Sequence, residues 1–200
     1  MKIKAVVFVF GLLHALVVQA QPDSPGGYRN MPIIVKVQFH NLAMPFKDVK
    51  YNFNNVGLGI GTELSYNIRN TWVQQLTATW HANKTVGNGI MLYSQVVWRP
   101  NIRSGLYTEI KAGGGYKYAF RPVESYKQNN QGKWEAVGRK GKGMLVLPLG
   151  VSLGYQSLKT RAGISPFVSY QFLLVSGYNT SVPLVPETLI QVGSRIHLKK

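Results

Sequence analysis

Seven charged residues stand out by where they fall: Lys36, Glu63, Arg99, Glu109, Lys111, Lys117 and Arg195. Each lies in a segment where apolar residues take every second position, and each has the parity opposite to them. In an extended strand successive side chains point to opposite faces, so these charges share the polar face of their ribbons. Gathered in a confined interior, they would pair into a salt-bridge network. Because five cations face only Glu63 and Glu109, the alternative is a narrow path that prefers anions. His40 and His81 have the same parity near one end of their segments. Histidine beside a serine nucleophile does acyl chemistry, but no acidic residue shares either segment and no serine motif marks a nucleophile. Two imidazoles without a third ligand do not make a zinc site. The chain has no cysteine, which removes disulfides, thiolate catalysis and cysteine-ligated metal. The glycines at 57, 59 and 61 and at 113–115 lack the spacing of a phosphate loop. They suit the curvature that closes a barrel. No catalytic residue, metal or cofactor is assigned, and the chain is not expected to be an enzyme.

A second cluster lies between Ala119 and Lys142. Arg121, Lys127, Lys133, Arg139, Lys140 and Lys142 alternate there with Tyr126 and Trp134, against Glu124 and Glu135. Arginine and lysine pair well with phosphate, so Arg121, Lys133, Arg139, Lys140 and Lys142 are candidate contacts for a phosphate-bearing anion.

The elements that must position these residues are strands. Val56 to Tyr66 is the clearest: Val56, Leu58, Ile60, Leu64 and Tyr66 on one parity, and Gly57, Gly59, Gly61, Glu63 and Ser65 on the other. The same period of two recurs in Pro32–His40, Thr71–His81, Gly89–Arg99, Gly105–Tyr118, Gly143–Tyr155, Ser165–Leu173 and Thr188–Leu198. Gln74, Ser94 and Ser194 interrupt the greasy parity, and Ile34, Met91, Val97 and Leu189 the polar one. The spacing predicts an all-β fold, an eight-stranded antiparallel transmembrane β-barrel with up-and-down order. Ribbons of about ten or eleven residues are long enough to cross a bilayer when tilted. Connections after the second, fourth and sixth ribbons are short, and those after the odd ribbons are mostly longer. That alternation puts the short turns in the periplasm and the longer loops outside the cell. On this orientation Tyr66, Trp72, Trp98 and Tyr155 mark the periplasmic interface. Phe39, Trp80, Tyr116, Tyr118 and Phe172 mark the external one, all on the greasy parity.

Residues 1–20 read as a signal peptide, with Lys2 and Lys4 before an apolar stretch and Val18-Gln19-Ala20 at the cleavage site. Residues 21–31 are an N-terminal lead-in, and the barrel occupies residues 32–198. The chain carries 23 basic and 7 acidic residues, a formal charge of +16. Export and the absence of a basic helix argue against a nucleic-acid partner.

With these features in place, the chain resembles the small eight-stranded outer-membrane barrels of Gram-negative bacteria, over about residues 32 to 198. It ends on Leu198-Lys199-Lys200 rather than on the aromatic residue many such barrels carry. The resemblance implies the outer membrane of a Gram-negative bacterium. It also implies outer-membrane lipid, lipopolysaccharide and an envelope protein as partners. The expected role is structural or interactive, with side chains plugging the lumen. The alternatives are a narrow anion-preferring channel or a lipid A-modifying barrel enzyme.

Overall fold

The computed structural model describes residues 31–42, 44, 53, 55–67, 69–83, 87–103, 105–120, 125–138, 141–156, 163–178 and 183–197. The signal peptide expected at 1–20 and nearly all of the lead-in therefore lie outside the described residues. Among the described residues the regular structure is all β. The strands are β1 (Ile33–Asn41), β2 (Val56–Ser65), β3 (Trp72–His81), β4 (Gly89–Trp98), β5 (Asn101–Arg103), β6 (Leu106–Ala119), β7 (Ser125–Gln128), β8 (Trp134–Gly138), β9 (Lys142–Tyr155), β10 (Gly163–Ser176) and β11 (Leu184–His197). Eight of them form one sheet in the order β4-β3-β2-β1-β11-β10-β9-β6, and pairing of β4 with β6 closes it. All these pairs are antiparallel. Strand β5 adds a short pairing to β6, while β7 and β8 form a separate two-stranded ribbon.

The register sets the tilt. Partners traced once around from Asn41 run Thr188, Phe172, Leu149, Ala112, Val96, Gln74 and Leu64. Leu64 lies two residues past the Thr62–Ile33 pair, so the circuit returns to β1 level with Met31. A slip from Asn41 to Met31 is about 33 Å at ~3.3 Å per residue. Against a girth of eight strands about 4.8 Å apart, it inclines the strands by roughly 40°, as barrel closure requires.

The surface is inside-out relative to a water-soluble protein. Leu58, Leu147, Val151 and Leu153 are each more than half exposed, while Lys36, Glu63, Glu109, Lys111 and Arg195 are buried. An apolar outer band over a polar interior is the arrangement of a transmembrane barrel. Two of the three interruptions of the greasy parity, Gln74 and Ser94, are resolved locally. Tyr66 Oη donates to Gln74 Oε1 at 2.7 Å, and Gln74 Nε2 donates to Ser94 Oγ at 2.5 Å. Polar groups facing hydrocarbon must find partners within the protein, and this chain across β2, β3 and β4 supplies them. The apolar residues on the polar parity point inward. Met91 and Leu189 pack with Tyr93, Met144, Val146, Leu173 and Val175 in an internal cluster. A lumen of eight strands is narrow enough for side chains to fill, so apolar groups are at home there.

Two boundaries differ from the periodicity. The seventh and eighth barrel strands reach Ser176 and begin at Leu184, well beyond the expected Leu173 and Thr188. Pro183 and Pro186 read as breakers. Yet β1 pairs with β11 only from Thr188 onward, so Pro186 sits where one edge of β11 needs no N–H donor. The loop expected from Ala119 to Lys142 contains the β7–β8 ribbon.

Candidate functional site

The lumen is the candidate site, and three layers of side chains fill it. The first lies toward the end with the short connections. Glu63 comes from β2, Glu109 and Lys111 from β6, and Arg195 from β11. Arg99 directly follows β4, where its backbone N–H donates to Thr71 O at 2.7 Å and continues the strand pairing. Arg99 Nη2 donates to Glu63 at 2.7 Å and Arg99 Nε to Glu109 Oε1 at 2.6 Å. Arg195 Nε donates to Glu63 Oε1 at 2.6 Å and Arg195 Nη2 to Glu109 Oε1 at 2.6 Å. The four residues thus form a closed square of alternating charge, Glu63–Arg99–Glu109–Arg195. Lys111 Nζ adds a third cation to Glu109 at 2.9 Å. Tyr107 accepts a hydrogen bond from Arg195 Nη1, and the Phe167 ring lies 4.6 Å from the Arg195 guanidinium carbon. Arginine suits this place because its planar fork serves two carboxylates at once.

The middle layer is largely neutral. Lys36 Nζ donates to Tyr93 Oη at 2.8 Å and to Gln191 Oε1 at 3.3 Å. Gln191 Nε2 donates to Gln38 Oε1 at 3.2 Å, and Gln171 Nε2 to Gln95 Oε1 at 3.3 Å. The glycines of β2 make room for this layer. A Cβ on Gly59 would stand 2.9 Å from two carbons of the Lys36 stem. The long lysine lies across a strand face that has no side chain of its own.

The third layer lies toward the longer loops. Lys117 Nζ donates to Glu187 Oε1 and Oε2 at 2.5 and 2.6 Å. His40 Nε2 stands 2.9 Å from Glu187 Oε2, and its Nδ1 faces the Asn83 amide at 3.4 Å. The rings of His40 and His81 stack with centroids 4.5 Å apart. All seven charged residues singled out from the sequence therefore face inward and are buried. Glu187 corrects the reading that Glu63 and Glu109 are the only acidic groups inside. It is 1% exposed. The longer β11 turns it into the lumen, two positions before Leu189 on the same parity. The signal that would have found it is that parity, carried through Pro186. Glu187 also gives His40 the carboxylate its own strand lacks. The other ring nitrogen faces the Asn83 amide. Among the described residues no three His, Asp or Glu groups converge as metal ligands.

On the outer face, Trp72, Trp80, Trp98, Tyr116, Tyr118 and Tyr155 are exposed, each by at least 40%. Phe39, Tyr66 and Phe172 are partly covered. Phe39 packs on Phe53, and the rings of Trp72 and Trp98 lie 6.4 Å apart. Of the five candidate anion contacts, Lys133 is exposed on the ribbon's turn, and exposed Lys142 Nζ donates to Tyr178 O at 2.9 Å. Arg121, Arg139 and Lys140 lie outside the described residues. On the ribbon itself Tyr126 and Trp134 are 58% and 69% exposed.

No family model matches the sequence, and no curated protein matches it. Among solved structures, the fold is similar to that of Neisserial surface protein A (NspA), with a TM-score of 0.58 and 12% identity over 85% of this chain and 98% of that one. A de novo designed transmembrane β-barrel aligns at a TM-score of 0.43 and 12% identity, covering 89% of this chain and 99% of that one. Ail, the attachment invasion locus protein of Yersinia pestis, determined with the heparin analogue sucrose octasulfate, aligns at 0.46 and 13% identity, covering 84% and 97%. The fold is that of the small eight-stranded outer-membrane barrels. In this outer-membrane-type barrel the layered lumen is a packed interior, and the ribbon is the part that stands apart from the barrel sheet.

Proposed function

We propose that this chain is an envelope protein of a Gram-negative outer membrane, exported by residues 1–20, and that it acts as a structural or interaction barrel rather than as a pore or an enzyme. The supporting observation is the closed square of Glu63, Arg99, Glu109 and Arg195 across the lumen. Breaking a buried pair of this kind is costly, so the square favours a shut interior. The short turns face the periplasm in this reading, and the aromatic rings on the outer face anchor the two interfaces. The β7–β8 ribbon then stands outside the cell. Its exposed Tyr126 and Trp134 lie among basic residues, and phosphates of lipopolysaccharide fit that chemistry.

The test is a conductance trace from purified protein in a planar bilayer. The expected result is a baseline without steps at either polarity. Reproducible single-channel steps would overturn the closed reading. Binding of purified lipopolysaccharide, compared between the wild type and a variant with Lys133 and Lys142 changed to alanine, tests the surface role. Equal binding by both would remove it.

A further inference from the structure

Among the described residues of the lumen there are five buried cations and three buried carboxylates. Four of the cations are paired: Arg99, Lys111 and Arg195 with Glu63 or Glu109, and Lys117 with Glu187. Lys36 is the exception. It is 2% exposed, and its acceptors are the neutral Tyr93 hydroxyl and the Gln191 amide oxygen. It also feels the positive charges of Arg195 and Lys111. The carboxylates of Glu63 and Glu109 act on it too, but both are already held by the two arginines. A buried ammonium next to other cations either finds a counter-charge or gives up its proton.

The lumen wall beside Lys36 and Lys111 supplies hydrogen-bond donors that no protein group accepts from. Gln38 Nε2, Gln75 Nε2 and Thr79 Oγ1 are buried and find no acceptor among the described protein groups. Gln38 and Thr79 share the glycine floor of β2 with Lys36. A Cβ on Gly59 would meet both the Lys36 stem and the Thr79 methyl, and one on Gly57 would meet Gln38 Cγ. Gln75 lies on the same inward face of β3, where its Oε1 is 3.5 Å from Lys111 Nζ. One ammonium, two amide N–H groups and a hydroxyl, with no carboxylate bonded to the ammonium, make a donor set for an anion. Their enclosure in a lumen filled by side chains restricts the occupant to a small one.

We infer that the middle of the lumen binds a small monovalent anion of the halide class, held by Lys36 with Gln38, Gln75 and Thr79 as neutral donors. The site needs no conduction and is compatible with a closed barrel. Its charge would bring the interior closer to neutrality.

The test uses the full mature chain folded in detergent, with chloride and bromide as probes. Thermal unfolding is measured in sodium chloride and in sodium gluconate at equal ionic strength, gluconate being too large for the site. The wild-type midpoint is expected to be several degrees higher in chloride. Lys36→Met should lose that difference, and Lys36→Arg should keep it. A crystal grown in bromide should show anomalous density beside Lys36 Nζ, which also decides the matter if Lys36→Met does not fold. Equal midpoints in the two salts for the wild type would overturn the inference. So would a chloride response that survives in Lys36→Met, or bromide density that is missing from the lumen or beside another cation.

Discussion

Replacing Glu109 by glutamine tests the charged square at its most connected corner. Glu109 is fully buried and receives Arg99, Arg195 and Lys111 at 2.6, 2.6 and 2.9 Å. With charge centres about 4 Å apart and an effective dielectric constant near 20, each attraction is worth about 4 kcal/mol. The neutral variant loses three of them, about 12 kcal/mol. Two effects offset the loss. Repulsion from Glu63 across the square, about 3 kcal/mol at ~5.7 Å, disappears, and so does the several-kcal/mol penalty of keeping a carboxylate out of water. The remainder is about 3–5 kcal/mol, the usual cost of breaking a buried pair. The control is Glu135→Gln on the ribbon. Glu135 is exposed and accepts from Asn129 Nδ2 at 2.8 Å, a bond a glutamine oxygen can also accept. Its expected cost is about 0–1 kcal/mol. The assay is urea unfolding of the refolded barrel in detergent, followed by tryptophan fluorescence. Glu109→Gln should lower the midpoint far more than Glu135→Gln. If the two variants unfold alike, the square does not hold the barrel together, and the case for a closed lumen loses its support.

Glu187→Gln should also destabilise, by about 3 kcal/mol in the same assay, because Lys117 loses its carboxylate inside the barrel; an unchanged midpoint would place Glu187 in water. Leu149→Arg puts a guanidinium on the outer face near the middle of β9 and should cost about 2–4 kcal/mol on folding into vesicles. Ser152→Arg, inward and opposite Glu109, should act instead by crowding the lumen. If Leu149→Arg folds into vesicles with unchanged stability, the assignment of the lipid face on β9 is wrong. Cysteines placed at Gly87 and Asn129 should label on whole cells with an impermeant reagent, and one at Asn101 should not. Labelling of Asn101 at the level of Asn129 would reverse the orientation.

What the sequence by itself determined is the local geometry. Alternation with period two is a property of each strand alone, so the parities of Lys36, Glu63, Arg99, Glu109, Lys111, Lys117 and Arg195 were readable before any strand had a neighbour. The same rule placed Leu149 and Trp72 outside, and eight such ribbons implied a closed barrel. Pairing was beyond its reach. Glu63 and Glu109 lie 46 positions apart in the chain, yet Arg99 and Arg195 bridge both. That proximity follows from the register around the closed sheet, which is set by hydrogen bonds between distant segments. Glu187 shows the limit most plainly. Prolines 183 and 186 look like a loop when read alone. Only the position of β11, paired with β10 there and lying beyond the end of β1, lets the strand run through Pro186 and carry a carboxylate to Lys117 and His40. Which cations find a carboxylate, and that Lys36 finds none among the described residues, was decided by tertiary structure. A buried charge is governed by the neighbours that fold against it, and those neighbours come from other strands.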